Sequence, residues 1–98
     1  MKKINIVYFD NYNDVDIVCI PNVVYDDIDS IVQKYFIWLS SGKHSYWKTT
    51  EDGNKHIECD DALVFVEWIN NYIREKEDNA YIVKRNTKYD PQYPVVDF

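Results

Sequence analysis

The chain has 98 residues, of which 46% are hydrophobic and 16% aromatic, and its formal net charge is −6. This apolar content excludes an intrinsically disordered chain and predicts a single domain over residues 1–98. The negative charge disfavours direct binding to nucleic acid or to anionic lipid, because their phosphate groups repel it. No apolar run resembles a signal peptide or a membrane span, and two cysteines make no disulfide framework, so we expect a cytoplasmic protein.

The first half of the chain predicts a β-hairpin followed by a helix. Residues 3–9 and 15–20 are rich in β-branched and aromatic residues, which favour strands, and Pro21 ends the second run. Apolar residues then recur at helical spacing over residues 25–41, and Gly42 is placed to end that helix.

The second half repeats this arrangement. Residues 44–49 and 55–59 are candidate strands, and the Asp-Gly-Asn sequence around Gly53 favours a tight turn between them. Residues 60–77 carry the clearest helical periodicity in the chain, with acids at the start and basic residues near the end.

The remaining residues predict a last strand and a tail. Residues 81–85 have strand composition, and residues 86–98 contain two prolines, which indicates an extended C-terminal tail packed on the domain. The order ββαββαβ predicts an α+β fold, with a small antiparallel or mixed sheet of about five strands and two helices.

Acidic residues are distributed unevenly along the chain. Six acids and no base lie between positions 10 and 29, and a second acidic cluster lies between positions 51 and 61. Tyr12 and Tyr25 lie within the first cluster, and Tyr46 and Trp47 precede the second. Charge speeds the encounter with a partner of opposite sign and aromatic rings add short-range affinity, so this combination favours a surface that binds a basic protein. The predicted partner-binding residues are Asp10, Tyr12, Asp14, Tyr25, Asp26, Asp27, Asp29, Tyr46, Trp47, Glu51, Asp52, Glu58, Asp60 and Asp61.

These observations favour a small acidic inhibitor, an immunity protein or antitoxin that neutralises a basic, nuclease-type bacterial toxin by covering its active site. The abundance of lysine, asparagine and isoleucine is typical of a microbial sequence. Ordinary capping and dipole interactions at the two helix starts would also explain acids at those positions.

Two other functions remain open. His44 and His56 lie close to Glu58 and Cys59 in one predicted hairpin, which would suit a metal-dependent or acid–base hydrolase. The spacings typical of a zinc site, a serine nucleophile and a phosphate-binding loop are missing, so we expect no enzyme, no metal and no cofactor. Alternatively, an exposed sheet edge with Trp38 or Trp47 would build a homodimer.

Overall fold

The computed structural model describes residues 1–41, 47–49, 51, 53, 55–57 and 61–98, with the backbone alone for 47–49 and 55–57. Within these residues the fold is α+β, in the order ββααββαββ. The elements are β1 (Lys2–Val7), β2 (Val15–Ile20), α1 (Asn22–Tyr25), α2 (Ile28–Ser40), β3 (Trp47–Thr49), β4 (Lys55–Ile57), α3 (Asp61–Tyr72), β5 (Tyr81–Thr87) and β6 (Val95–Asp97).

The main sheet is mixed and has the strand order β5-β2-β1-β6. β1 and β2 form an antiparallel hairpin in which Lys2 pairs with Ile20, and β2 pairs antiparallel with β5 through a bulge near Ile17. β6 lies parallel to β1, with Asn5 opposite Val95. The residues after β5 therefore cross the sheet and return beside the first strand.

The prediction of one sheet of about five strands was wrong. Among the described residues there are a four-stranded sheet and a separate two-stranded pair, β3 and β4. Gly53, between these two short strands, has φ of 85°, a backbone conformation that glycine adopts without strain. The end of the tail supplies the fourth strand of the main sheet. Its two valines bury apolar surface on both faces of that sheet, Val96 on the helix side and Val95 on the opposite side.

The prediction of two helices was also inexact, since the described residues form three, of which two are long. The helix expected over residues 25–41 is divided into α1 and α2. Asp27 has φ of −129° and ψ of 38°, which is outside the helical region and interrupts the backbone between the two helices.

α3 ends five residues before the end of the predicted helix, and side chains of neighbouring residues stabilise this end by accepting or donating hydrogen bonds there. Lys76 Nζ donates to the carbonyl oxygens of Asn70 and Ile73 at 3.2 and 2.8 Å. The Asn70 side chain accepts from Ala80 N–H at 2.7 Å and donates to Ala80 O at 3.0 Å. These bonds connect the last turns of α3 to the start of β5.

The main sheet buries a core on each face. On the helix side, Ile4, Ile6, Val18 and Ile20 belong to the core that α1, α2 and α3 complete. Tyr35 lies at the middle of its aromatic part, and its ring contacts those of Phe36, Trp38, Phe65, Trp68 and Phe98.

On the opposite face, the smaller core consists of Val7, Val15 and Ile17, with Tyr89, Tyr93 and other residues packed against it. The segment 88–94 therefore covers part of this face before β6 begins. Both faces of the sheet contribute to the folded state, which explains why every residue of β2 is buried.

Candidate partner-binding surface

The start of α2 carries three carboxylates that are available to a partner. Asp26, Asp27 and Asp29 are exposed. Asp27 occupies the N-cap position of α2 but makes no side-chain capping bond. None of the three forms an ion pair with any described Lys or Arg. The Asp27 carboxylate therefore does not cap α2, although the residue stands at the N-cap position.

These acids adjoin a groove of about 690 Å³ between α2 and β6, which we call the α2–β6 groove. Tyr25 of α1, then Ile28, Asp29, Val32 and Gln33 of α2, line one wall, and residues 94–97 line the other. Ile28 and Val32 supply apolar surface. Asp29 supplies a carboxylate on the α2 wall, and no described Lys or Arg lines the groove. Asp97 belongs to the β6 wall, and its side chain lies on the same face of the sheet as its strand partner Val7 and as Val95, away from α2.

A second groove of about 600 Å³ shares Tyr25 and Pro94 with the first and has the opposite charge. Its lining includes Lys2 and Lys3. Lys2 Nζ lies 5.3 Å from the centre of the Tyr25 ring, which is within reach of a cation–π interaction. Tyr25 therefore marks the boundary between an acidic and a basic groove.

Tyr81 and Cys19 lie in this second groove. A hydrogen bond with the buried Cys19 thiol raises the pKa of the Tyr81 phenol above its usual 10.0. The Tyr81 hydroxyl is neutral at physiological pH, because this range lies below its pKa, and a neutral hydroxyl can donate a hydrogen bond.

Glu77 fixes the orientation of α1. Its Oε1 accepts from the Asn22 backbone N–H at 2.6 Å and from the Met1 amine at 3.0 Å, while its Oε2 accepts from Asn22 Nδ2 at 3.1 Å. The Asn22 N–H, followed by the Met1 amine, holds the pKa of Glu77 below its usual 4.5. Through Asn22, this carboxylate positions the helix that carries Tyr25 and leads to the acids of α2.

The predicted residues Asp10, Tyr12 and Asp14 lie at the opposite end of the main sheet from α1. They belong to the loop between β1 and β2, whereas α1 follows the far end of β2. Six strand residues separate these ends by about 20 Å, at roughly 3.3 Å per residue. The structure therefore does not bring Asp10 and Asp14 together with the acids at the start of α2.

That loop begins with a tight turn in a conformation which non-glycine residues rarely adopt. Asn11 N–H donates to Tyr8 O at 3.0 Å, and the two residues between them, Phe9 and Asp10, have φ of 53° and 58°. Positive φ at both central positions is typical of a type I′ turn, which favours asparagine and glycine. The Phe9 side chain is 99% exposed.

The second acidic cluster is described only in part. Glu51 is exposed, and Asp61 begins α3, where its carbonyl oxygen accepts from the Tyr35 hydroxyl at 3.5 Å. Trp47 and His56 belong to β3 and β4, for which the backbone alone is described. Tyr46, Asp52, Glu58 and Asp60, together with His44 and Cys59, lie outside the described residues.

Asp97 and Gln33 line the groove but were not among the residues predicted from the sequence. Asp97 is separated from Asp29 by 68 positions, and only the pairing of β6 with β1 brings the end of the tail beside α2. An acid that follows two valines in a short apolar run indicates an edge strand, but its neighbour across a groove depends on the strand order.

The described residues contain no group of three or more His, Cys, Asp and Glu side chains able to hold a metal ion. Their helices include none that is both long and apolar enough to cross a membrane. Comparison with protein-family models, curated proteins and solved structures finds no match to this chain.

Proposed function

We propose that this chain is an inhibitor which binds a basic protein, in the manner of an immunity protein or antitoxin acting on a nuclease-type bacterial toxin in the cytoplasm. The observation that carries the proposal is the set of exposed carboxylates at Asp26, Asp27 and Asp29, which pair with no described Lys or Arg and lie beside the α2–β6 groove.

Described lysine and arginine side chains do not neutralise the acids at the start of α2. A carboxylate that already pairs with a lysine or arginine offers a partner little additional attraction, whereas these three are paired with none of the described cations. Several like charges on one surface steer an oppositely charged partner and accelerate association. An active site that binds the phosphates of a nucleic acid is a basic surface of that kind.

Short-range contacts come from the adjoining groove. Tyr25 and the apolar surface of Ile28 and Val32 are available beside the carboxylate of Asp29. An interface of this type combines apolar contact at its centre with charged groups at its rim, so that affinity and specificity come from different residues.

The test uses two variants that change the net charge equally. Asp26→Asn, Asp27→Asn and Asp29→Asn are combined in the first variant, and asparagine is as suitable as aspartate at an N-cap. Asp10→Asn, Asp14→Asn and Glu75→Gln are combined in the second, since these acids are exposed and lie outside the groove. Circular dichroism and thermal unfolding establish that both variants fold.

The immobilised wild-type chain is used to capture proteins at low salt, and a captured basic protein is assayed for cleavage of DNA and RNA. We expect one equivalent of the chain to abolish that cleavage. The first variant should bind at least about tenfold more weakly, while the second binds nearly as the wild type does. Full activity of the captured protein in the saturated complex would reject inhibition, and equal losses in both variants would reject this surface.

A further inference from the structure

We infer that the outer edge of β6 accepts an extended, cationic segment of the partner, which adds to the main sheet as a further strand in the α2–β6 groove. The inference rests on the proposed function for its choice of a basic partner. It also assigns a binding mode, main-chain pairing along a sheet edge, that the proposed function does not require.

The pairing of β6 with β1 determines which backbone groups face outward. Asn5 N–H donates to Pro94 O and Phe98 N–H donates to Val7 O, both at 2.9 Å. With Asn5 opposite Val95 and Val7 opposite Asp97, these bonds direct the main-chain groups of Val96 toward β1. Because successive residues alternate, the N–H and C=O groups of Val95 and Asp97 face the outer edge.

No other strand of the described residues covers that edge, since β6 is the last strand of its sheet. Unpaired donors and acceptors in a row form a template for another extended chain. Pro94 precedes β6 and its carbonyl group faces β1, so the outward groups of this strand are those of Val95 and Asp97. The edge is short, and it suits a segment of a few residues.

α2 forms the opposite wall and makes this edge selective. Ile28 and Val32 contact the space beside the strand, and the groove volume of about 690 Å³ lies within the range of roughly 300–1,000 Å³ that is usual for ligand sites. Side chains of an added strand would point alternately toward α2 and away from it. A helix beside an open strand edge therefore provides both main-chain bonds and side-chain contacts.

The charges of the groove select a cationic segment rather than a second copy of the chain. Asp29 lies beside the β6 edge on the α2 side, the Asp97 side chain lies on the other face of the sheet, and no described Lys or Arg lines the groove. A segment paired at this edge therefore has an acid near each of its two faces. If the β6 edges of two copies paired with each other, the second copy would bring its own Asp29 and Asp97 into the same strip, where like charges repel. Lysine or arginine side chains would instead be attracted to these carboxylates.

The probe is a capped heptapeptide of alternating lysine and valine, added to the isotopically labelled full chain and followed by NMR. We expect chemical-shift changes at residues of the groove, and slower hydrogen exchange at the Val95 and Asp97 amides than in the free chain. Replacing the lysines of the peptide with glutamates should abolish these changes. Absence of binding, or shift changes confined to Lys2 and Tyr81 or to Phe9, would overturn the inference.

Two modified peptides test main-chain pairing on the unmodified chain. One is N-methylated at every valine and the other at every lysine, so that each lacks the donors along one of its edges. At least one of them should bind about tenfold more weakly or worse, because an N-methyl group also prevents close approach of the strand. Equal binding of all three peptides would show that side chains alone hold the segment.

Variants of the chain provide a second test. Val95→Pro removes an outward N–H from an edge strand, while Val95→Ala removes side-chain volume and keeps that donor. We expect the proline variant to lose most of its peptide binding and the alanine variant to retain it. Asp29→Asn combined with Asp97→Asn should weaken binding by about three- to tenfold. A folded proline variant with undiminished affinity would contradict pairing at this edge.

The outcome is separable from that of the proposed function. Peptide binding in the groove without inhibition of any captured protein would support the edge site and reject the inhibitor. Inhibition that Val95→Pro leaves intact would support the inhibitor and reject strand addition. A mass that rises with chain concentration, and falls when Val95 is replaced by proline, would assign the edge to a second copy instead.

Discussion

The side-chain amide of Asn5 forms two hydrogen bonds with the backbone of Asp90, one as donor and one as acceptor. Asn5 Nδ2 donates to Asp90 O at 2.9 Å, and Asp90 N–H donates to Asn5 Oδ1 at 2.8 Å. Asn5 is fully buried, and its Nδ2 also donates to Tyr93 O at 3.0 Å. One amide in β1 therefore fixes the segment that leads into β6, and with it one wall of the α2–β6 groove.

Asn5→Ala should lower the free energy of unfolding by about 2–4 kcal/mol, because it removes a fully buried amide and leaves several partly buried backbone groups without their partner. Urea unfolding followed by circular dichroism measures this change. Asn71→Ala is the matched control, since Asn71 is exposed on α3. Similar stability losses in the two variants would contradict the role given to Asn5.

Phe98 anchors the other end of β6 in the aromatic part of the helix-side core. Its ring lies 5.1 Å from that of Phe65, 5.4 Å from that of Phe36 and 5.8 Å from that of Tyr35. Phe98→Ala should destabilise the fold by about 2–4 kcal/mol through lost burial and ring contacts. In contrast, Phe9→Ala, at the exposed turn, should change stability by less than about 0.5 kcal/mol. Thermal unfolding of both variants measures this difference. Equal losses of stability would contradict the anchoring role of Phe98.

The turn at Phe9 and Asp10 stores backbone strain that a substitution should relieve. Combining Phe9→Asn with Asp10→Gly introduces the residues that type I′ turns favour, and should stabilise the chain by about 0.5–1.5 kcal/mol. Asn13→Gly in the same loop serves as the control. Asn13 is not among the residues with positive φ, so glycine there relieves no backbone strain. It should lower stability slightly, because glycine increases the conformational freedom of the unfolded chain. Chemical denaturation would refute the prediction if the double variant were less stable than the wild type.

The lowered pKa of Glu77 predicts that the folded chain loses stability at acidic pH. Its pKa in the folded chain lies below the usual 4.5, chiefly because Asn22 N–H donates to it. Its contribution is therefore fully present above pH 4.5 and is lost as pH falls through the folded pKa. Glu77→Gln should make stability decline less steeply in this acidic range.

The measurement for Glu77 is the free energy of unfolding, determined by urea titration at a series of acidic pH values. Glu75→Gln changes the charge equally at a neighbouring exposed residue and should leave the slope as it is in the wild type. If Glu77→Gln also left the slope unchanged, the interaction with Asn22 would not be the source of acid sensitivity.

Local pattern accounts for much of the fold and for less of the candidate surface. The helical spacing of Ile31, Tyr35 and Leu39 corresponds to the buried face of α2, because that periodicity depends on neighbours along one helix. The break at Asp27 was not predictable, since apolar spacing continues through it. The separation of β3 and β4 from the main sheet depends on packing between distant residues, for which a periodic pattern carries no information.

The same distinction applies to the surface. Asp26, Asp27 and Asp29 are adjacent in the sequence, so their clustering follows directly from their positions. The proximity of Asp97 to Asp29 depends on a parallel strand pairing that closes a long loop. The opposite position of Asp10 and Asp14 depends on the direction of β2. A basic partner therefore stays a prediction from charge composition, while the topology determines which acids lie close together.

The most direct test is the association rate of the captured basic partner with the chain, measured by biolayer interferometry at low and high salt. The account predicts that association slows steeply with salt for the wild type and for the variant Asp10→Asn, Asp14→Asn, Glu75→Gln. It predicts a rate at least about tenfold lower, with a much weaker salt dependence, for the variant Asp26→Asn, Asp27→Asn, Asp29→Asn. The same rate and salt dependence in all three proteins would contradict the assignment of this acidic surface to partner binding.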